Sequence, residues 1–254
     1  MSRPAARAAV EAVLLGIAQD AGVPQAGCAC DNCRRAWQKP RQRHLVACLG
    51  LIDHAAGQSW LIDATPDFRE QLFRLQQVAP NCRLAGILLT HVHMGHYTGL
   101  IQLGPEAMNA RRLPLYCTPK VETYLRENRP WRTLLEQEHL AARPLRPDAP
   151  LSLSAALRVT PLPVPHRDEF SDTLAFVAAG PQRSLLYCPD IDGWEQWSRP
   201  VRQVVAGVDV ALLDGSFFDP AELPGRDISQ IPTRWCATRW PACAVWGAKC
   251  ASST

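Results

Sequence analysis

The sequence lacks long hydrophobic runs and dense clusters of basic residues. No apolar stretch approaches the roughly 18 residues that a membrane-spanning helix needs. The N-terminal segment AAVEAVLLGIAQD contains a glutamate and has no small-residue cleavage site, so we interpret it as a first strand and not as a signal peptide. The formal net charge is only +3 and comes from scattered lysines and arginines. We therefore expect a small-molecule substrate, and neither a nucleic-acid nor a membrane partner.

The spacing typical of a secreted disulfide framework is also missing, although the chain has ten cysteines. Three of them, Cys28, Cys30 and Cys33, form the compact pattern C-x-C-x-x-C. Four others stand in apolar, strand-like segments, where a thiol packs as a small hydrophobic group: Cys48, Cys82, Cys117 and Cys188. This usage favours a reducing cytoplasm.

Short apolar runs that end in glycine, proline or aspartate recur along the 254 residues. Examples are VEAVLLGIA, LAGILLTHVH, SLLYCPDID and DVALLDGSF. Runs of this length and punctuation predict buried strands. Helical patterns intervene at about 66–79, 97–110, 119–139 and 193–206. Since 47% of the residues are apolar, the chain can bury one substantial core. We therefore predict an α/β layered domain.

Three of the seven histidines lie within six positions, in the segment THVHMGHYTGL. His91 and His93 are two residues apart after the apolar run GILLT, so an extended chain points both rings the same way. His96 follows across a glycine, where a helix can begin. Neutral imidazole is the commonest metal ligand, and three or four nitrogen and oxygen donors suit zinc or iron. The segment therefore predicts a metal site at the end of a strand.

The segment THVHMGH resembles the H-x-H-x-D-H signature of the metallo-β-lactamase fold. WLIDATPDF, VPHRD, LLYCPDID and DVALLDGSF resemble further motifs of that family in the same order, so the resemblance covers about residues 11–230. It implies a four-layer αββα sandwich of the kind found in hydrolases and a few redox enzymes. Within this fold, the segments GIAQDAGVPQAGCACDNC and HYTGL are most similar to the pyrroloquinoline quinone biosynthesis protein B group.

The resemblance implies a ligand set for a first metal ion. His91, His93 and His166 would hold that ion, and Asp190 would bridge to a second one. Asp190 is also the candidate catalytic residue, since a carboxylate there could orient a water molecule or accept its proton.

The second metal site is incomplete by the same comparison. His96 would be its remaining histidine ligand, but the carboxylate that the family places between the histidines is replaced by Gly95. Asp63 and Asp214, at the ends of two apolar runs, would support the ligands through hydrogen bonds. We therefore expect the second site to bind weakly or stay empty, which leaves a mononuclear centre.

The cysteine group, defined as Cys28, Cys30 and Cys33, offers three thiolates at a spacing that folds easily around tetrahedral zinc. One more ligand is required. In a similar family, a phosphonate-pathway cyclic phosphodiesterase, a histidine near the C-terminus supplies it, while His44 or His54 could substitute without that context. A redox dithiol and plain packing are the alternatives. The likeness of the whole loop favours a structural zinc.

The C-terminal segment has an unusual composition. No acid and no histidine occurs from Ile228 to Thr254, yet residues 233–254 hold three of the ten cysteines and three of the eight tryptophans. Such a segment is typical of out-of-frame reading of a GC-rich gene, and the codons permit a helix and a strand ending in histidine in another frame. We predict one metallo-β-lactamase-like domain over residues 1–232 and a frameshifted tail over 233–254. The C-terminal helix and strand of the fold are then missing or non-native.

Three functions are compatible with these residues. The leading hypothesis is a metal-dependent hydrolase, in which the cation lowers the pKa of a water molecule toward ~7 and polarises an ester, amide or phosphodiester. An iron-dependent oxidative enzyme or carrier acting on a pyrroloquinoline quinone precursor is the second. The third is a catalytically impaired binding protein, which the glycine at position 95 and the altered C-terminus favour.

Overall fold

Two sheets make up the core of the computed structural model, which describes residues 9–216. The first sheet has the strand order β1-β2-β3-β4-β5-β6, namely β1 (Val10–Gly16), β2 (Cys48–Asp53), β3 (Gln58–Ile62), β4 (Arg83–Leu88), β5 (Leu113–Cys117) and β6 (Leu140–Pro144). Strands β1 to β3 are antiparallel, and β3 to β6 are parallel.

The second sheet has the order β11-β10-β9-β8-β7, with strands β7 (Leu151–Ser152), β8 (Arg158–Val164), β9 (Thr173–Ala179), β10 (Ser184–Cys188) and β11 (Val210–Leu213). Its pairs are antiparallel except β10 with β11, which is parallel. The helices are α1 (Asp31–Gln38), α2 (Phe68–Val78), α3 (Met94–Tyr97), α4 (Pro119–Glu127), α5 (Trp131–Glu136) and α6 (Val201–Ala206). Short 3-10 helices span Pro40–Gln42 and Thr98–Leu103.

The alternation of side chains in β2 shows how the layers are arranged. Leu49 and Leu51 enter a core that they share with Phe176 and Tyr187 of the second sheet. The intervening residues of β2 point the other way, where Cys48 and Ile52 belong to a core that includes residues of α2, α4 and α5. The outer face of the second sheet packs against α6 and the tryptophans before it. The predicted four-layer αββα arrangement is therefore confirmed for the described residues.

The helices predicted from the sequence agree with the structure only in part. The helix expected over 66–79 is α2, Phe68–Val78. The helix expected over 119–139 is divided into α4 and α5, because Pro130 has no backbone N–H to continue the first helix. The expected helix over 97–110 is wrong, since α3 gives way to a 3-10 helix at Thr98. The helix expected over 193–206 begins only at Val201, because Pro200 disfavours the helical conformation of the residue before it.

Some predictions fall on residues that lie outside this description. Three of them concern the chain beyond residue 216: the domain boundary at 232, the frameshift over 233–254 and the loss of the C-terminal helix and strand. They stay predictions. Among the described residues, no helix has both the length and the apolar character needed to cross a bilayer.

The inter-sheet core provides a stability test. Phe176 of β9 is fully buried between the sheets, so Phe176→Ala should lower the free energy of unfolding by about 3–5 kcal/mol. Phe73, on α2, is 58% exposed and is the matched control, and Phe73→Ala should cost less than about 0.5 kcal/mol. Urea unfolding followed by circular dichroism measures both. Equal losses would contradict the assignment of the core.

Candidate metal centre

The polar residues of interest follow the carboxyl ends of strands. Asp63 comes directly after β3, and His91 lies three residues after β4. In the second sheet, His166 follows β8 and Asp190 follows β10, each by two residues. β3 and β4 are parallel, and β8 and β10 run in the same direction because both are antiparallel to β9, so the carboxyl ends of each pair lie at one edge of the sandwich.

Four donor atoms meet at that edge. His93 Nδ1 lies 2.9 Å from His91 Nε2 and 3.0 Å from His166 Nε2. Asp190 Oδ2 lies 3.3 Å from His91 Nε2 and 3.9 Å from His166 Nε2. We call His91, His93, His166 and Asp190 the histidine group. Its donor atoms all lie within 4.8 Å of one another.

These separations fit a divalent cation. Donors about 2.0–2.2 Å from a tetrahedral zinc ion are roughly 3.3 Å apart, and the distances in the histidine group bracket that value. Burial lowers the pKa of His91 to about 3. Burial also lowers the pKa of His93, and the nearby His166 adds to the shift. Both imidazoles are therefore neutral near pH 7, which is the form that binds metal ions.

The rings are held by contacts on their outward-facing nitrogens. His166 Nδ1 lies 2.8 Å from Asp192 Oδ1, and His91 Nδ1 lies 2.9 Å from Thr90 Oγ1. On the outer side of His93, Nε2 is 3.4 Å from a Glu169 carboxylate oxygen. Contacts of this kind fix the orientation of a ligating imidazole and raise its basicity.

Asp63 joins the two chain segments that build the first-sheet half of the site. It is fully buried and adopts a left-handed backbone conformation, with φ of 72°. One carboxylate oxygen accepts hydrogen bonds from the backbone N–H of Thr90, at 2.8 Å, and from its hydroxyl, at 3.0 Å. The other oxygen lies 2.8 Å from His96 Nδ1. Asp63 thus has the supporting position expected for it.

His96 lies beside the histidine group, with its ring centroid 4.2 Å from that of His91, and its Nε2 is directed at two carboxylates. Its Nε2 lies 2.9 Å from Asp190 Oδ2 and 3.2 Å from Asp20 Oδ1. Burial alone would lower the pKa of His96, but the charges of Asp190 and Asp63 outweigh it and raise that pKa well above its ordinary value. We call Asp20, His96 and Asp190 the acid group, whose donor atoms lie within 4.8 Å of one another.

The cysteine group is also assembled. The sulfur atoms of Cys28, Cys30 and Cys33 lie within 4.8 Å of one another, beside the start of α1. Among the described residues, no further histidine, cysteine or acid joins them. His54, one of the substitute ligands considered, contacts Glu11 instead, at 2.6 Å.

Four of the residues that meet here were predicted from the sequence, and others were not. The structure brings His91, His93, His166 and Asp190 together as the resemblance implies. Asp214 also has a supporting position, since it accepts a hydrogen bond of 3.1 Å from the backbone N–H of Ile191, next to Asp190. Asp20 and Asp192 were not predicted. The signal for Asp20 was an acid in a glycine-containing loop after β1, combined with the missing acid at position 95.

Comparison with known proteins agrees with this architecture. The family described as beta-lactamase superfamily domain matches residues 59–243. The chain is 30% identical over 234 residues to the coenzyme PQQ synthesis protein B of Methylobacterium sp. (strain 4-46), covering 82% of this chain and 74% of that protein. It is 25% identical over 240 residues to the protein of the same name from Xanthomonas axonopodis pv. citri (strain 306), covering 86% and 77%.

Solved structures show the same fold. Zn(2+)-bound PqqB from Methylobacterium extorquens superposes with a TM-score of 0.69 at 21% identity, over 83% of this chain and 74% of that one. A diphosphatase from the PhnP family gives a TM-score of 0.60 at 23% identity, over 83% and 75%. The two-sheet architecture, the family match and the relatives together show that this chain belongs to the beta-lactamase superfamily, within the family of coenzyme PQQ synthesis protein B.

Proposed function

We propose that the protein is a metal-dependent hydrolase whose cation is held by the histidine group. The observation that carries this proposal is the convergence of His91 Nε2, His93 Nδ1, His166 Nε2 and Asp190 Oδ2, with His91 and His93 buried. Three imidazoles and one carboxylate suit zinc or iron. Zinc is the ion named in the structure of the Methylobacterium extorquens relative.

A bound divalent cation supplies a Lewis acid, which polarises a scissile ester or phosphodiester and acidifies water. The chain's own contribution is to hold and orient. Asp190 is only partly buried, with 18% of its side chain exposed, so its carboxylate can orient an attacking water molecule or accept its proton. Burial would raise the pKa of Asp190, but His96 and His91 outweigh it and hold that pKa well below its ordinary value. Asp190 is therefore ionised at neutral pH.

The exposed apolar side chains beside the histidine group favour substrates with an aromatic or apolar part. The Phe170 ring lies 6.4 Å from the ring of His93 and 5.8 Å from that of Tyr124, and Phe170 is 54% exposed. Met94, directly after His93, is 65% exposed. Binding becomes more favourable when a ligand covers large exposed apolar side chains, because apolar surface is removed from water. Suitable probes are therefore bis(p-nitrophenyl) phosphate and p-nitrophenyl acetate.

A second candidate function is oxidative. The relatives are named for coenzyme PQQ synthesis, and a histidine-rich group with one carboxylate accepts iron as well as zinc. An iron-dependent enzyme or a carrier acting on a precursor of that coenzyme would use the same donor atoms. Metal analysis after anaerobic purification separates the two functions. Iron with oxygen consumption favours oxidation, zinc with probe hydrolysis favours hydrolysis, and metal binding without turnover favours a carrier.

We also propose that the cysteine group holds a structural zinc. The three sulfur atoms, which lie together beside the start of α1, form a soft donor set. The position of Cys33 is already fixed, because its sulfur accepts a hydrogen bond of 3.1 Å from the backbone N–H of Gln25. No disulfide bond is formed among the cysteines of residues 9–216. Thiolates of this kind remain metal ligands in a reducing compartment, which supports a cytoplasmic location.

His91→Ala removes one nitrogen donor from the histidine group. We expect hydrolysis of bis(p-nitrophenyl) phosphate to fall at least about 100-fold, because a missing ligand costs at least as much as a missing ligand support. His54→Ala is the control, since His54 contacts Glu11 at the opposite end of β3 from Asp63. Unchanged hydrolysis in the His91 variant, with wild-type folding, would contradict the proposal.

Asp192→Asn tests the support of a ligand without touching the donor atoms. The 2.8 Å contact between Asp192 and His166 Nδ1 would be weakened, so zinc affinity should fall about 10–100-fold. Glu11→Gln, which weakens the 2.6 Å carboxylate–imidazole contact with His54, should leave affinity unchanged. Competition with a chromophoric chelator measures both. Equal affinities in the two variants would exclude a role for Asp192 in metal binding.

Cys28→Ser tests the cysteine group. The zinc content should fall by about one ion per chain, with a lower melting temperature, because structural zinc contributes directly to folding. Cys82 lies outside the group, so Cys82→Ser is the matched control and should retain the full zinc content. If both variants keep the same zinc content, the cysteine group is not a metal site.

A further inference from the structure

Gly95 stands where the family's signature has an acid, and another residue fills the space beside it. A Cβ atom added to Gly95 would lie 2.3 Å from Asp20 Oδ1, 2.6 Å from Asp20 Cα and 2.7 Å from Asp20 Cγ. These distances are far below ordinary van der Waals contact. Any side chain at position 95 would therefore collide with both the carboxylate and the backbone of Asp20.

The Asp20 carboxylate is directed at the donor atom that a second cation would use. Asp20 Oδ1 lies 3.2 Å from His96 Nε2, and Asp190 Oδ2 lies 2.9 Å from the same nitrogen. The opposite nitrogen of His96 is held by Asp63, so the ring cannot turn Nε2 away without losing that contact. His96 is almost completely buried, whereas 39% of the Asp20 side chain is exposed. An ion can therefore enter from the Asp20 side.

Backbone hydrogen bonds fix the loop that carries Asp20. Before it, the backbone N–H groups of Ile17 and Ala18 both donate to Leu45 O, at 2.9 Å. After it, Gly22 takes a left-handed conformation with φ of 66° and donates to Gln19 O, at 2.7 Å. Val23 then donates to His44 O, at 2.9 Å. The backbone on either side of Asp20 is thus held by hydrogen bonds that do not involve His96, and these bonds place the Asp20 Cα beside Gly95.

We propose that Asp20 replaces the carboxylate missing at Gly95 and completes a second cation site formed by the acid group. Asp190 is shared, because its Oδ2 lies within 3.3 Å of His91 Nε2 and 2.9 Å of His96 Nε2. One imidazole and two carboxylates suit a divalent ion with a preference for oxygen or nitrogen donors. From the sequence we expected the second site to bind weakly or stay empty. With Asp20 the site regains a second carboxylate, supplied by another loop.

This inference rests on the proposed function, since Asp190 belongs to both groups, but metal counting separates the two. Manganese(II) is a suitable probe, because it favours carboxylate and imidazole over thiolate and so avoids the cysteine group. Metal-depleted full-length protein is titrated with manganese(II), and free ion is followed by electron paramagnetic resonance. We expect two equivalents for the wild-type chain, with magnetic coupling between the bound ions.

Asp20→Asn keeps the shape of the side chain and removes its charge. The affinity for the second equivalent should fall at least about 100-fold, while the first equivalent stays bound. Gly95→Ala should have the same effect without altering any donor atom, because its methyl group displaces Asp20. The controls are Glu11→Gln and Gly180→Ala, whose added methyl would meet no atom closer than 3.4 Å, and both should bind two equivalents.

The outcomes are distinct. One equivalent in the wild-type chain, or two equivalents in Asp20→Asn, overturns the second site and leaves the proposed function intact. No bound manganese in the wild-type chain, with no bound zinc beyond the one ion of the cysteine group, overturns the proposed function itself. Loss of both equivalents in a folded Asp20→Asn protein would show that Asp20 serves the first site, which also overturns the assignment.

Discussion

The candidate metal centre depends on the packing of one sheet against the other. His91 and His93 come from the end of the first sheet, whereas His166 and Asp190 come from the second. Their donor atoms meet only because the residues between the sheets, such as Leu49, set a fixed spacing. Close-packed interiors transmit small displacements, so a shift of one sheet would separate the donors. The geometry of the site therefore depends on the packing of the core.

Charge is the second constraint on this site. Three carboxylates, Asp20, Asp63 and Asp190, surround the single imidazole of His96. Gathering like charges in a buried place costs free energy unless positive charge is present. The positive charge of His96 offsets part of this cost in the absence of a metal ion. The proposed second cation would replace the Nε2 proton of His96 and bring one more positive charge to these acids.

The sequence predicted the parts of the site that follow a local pattern. His91 and His93 stand at strand spacing, and the resemblance to a family identified His166 and Asp190 at the ends of later apolar runs. Asp20 was missed because it is a neighbour of Gly95 only in the folded chain, and neither strand nor helix spacing connects the two residues. The long helix expected over 97–110 does not form, because contacts with another part of the chain override the local pattern. Gly99 packs against the backbone of Ala64 and Thr65, and the segment there is a 3-10 helix.

The candidate metal centre requires that donors from both sheets share one ion. Anomalous diffraction from crystals of zinc- or iron-loaded protein measures this directly. We predict a strong peak enclosed by His91 Nε2, His93 Nδ1, His166 Nε2 and the Asp190 carboxylate. Protein that binds metal only elsewhere, with no peak among these four residues, would contradict the account.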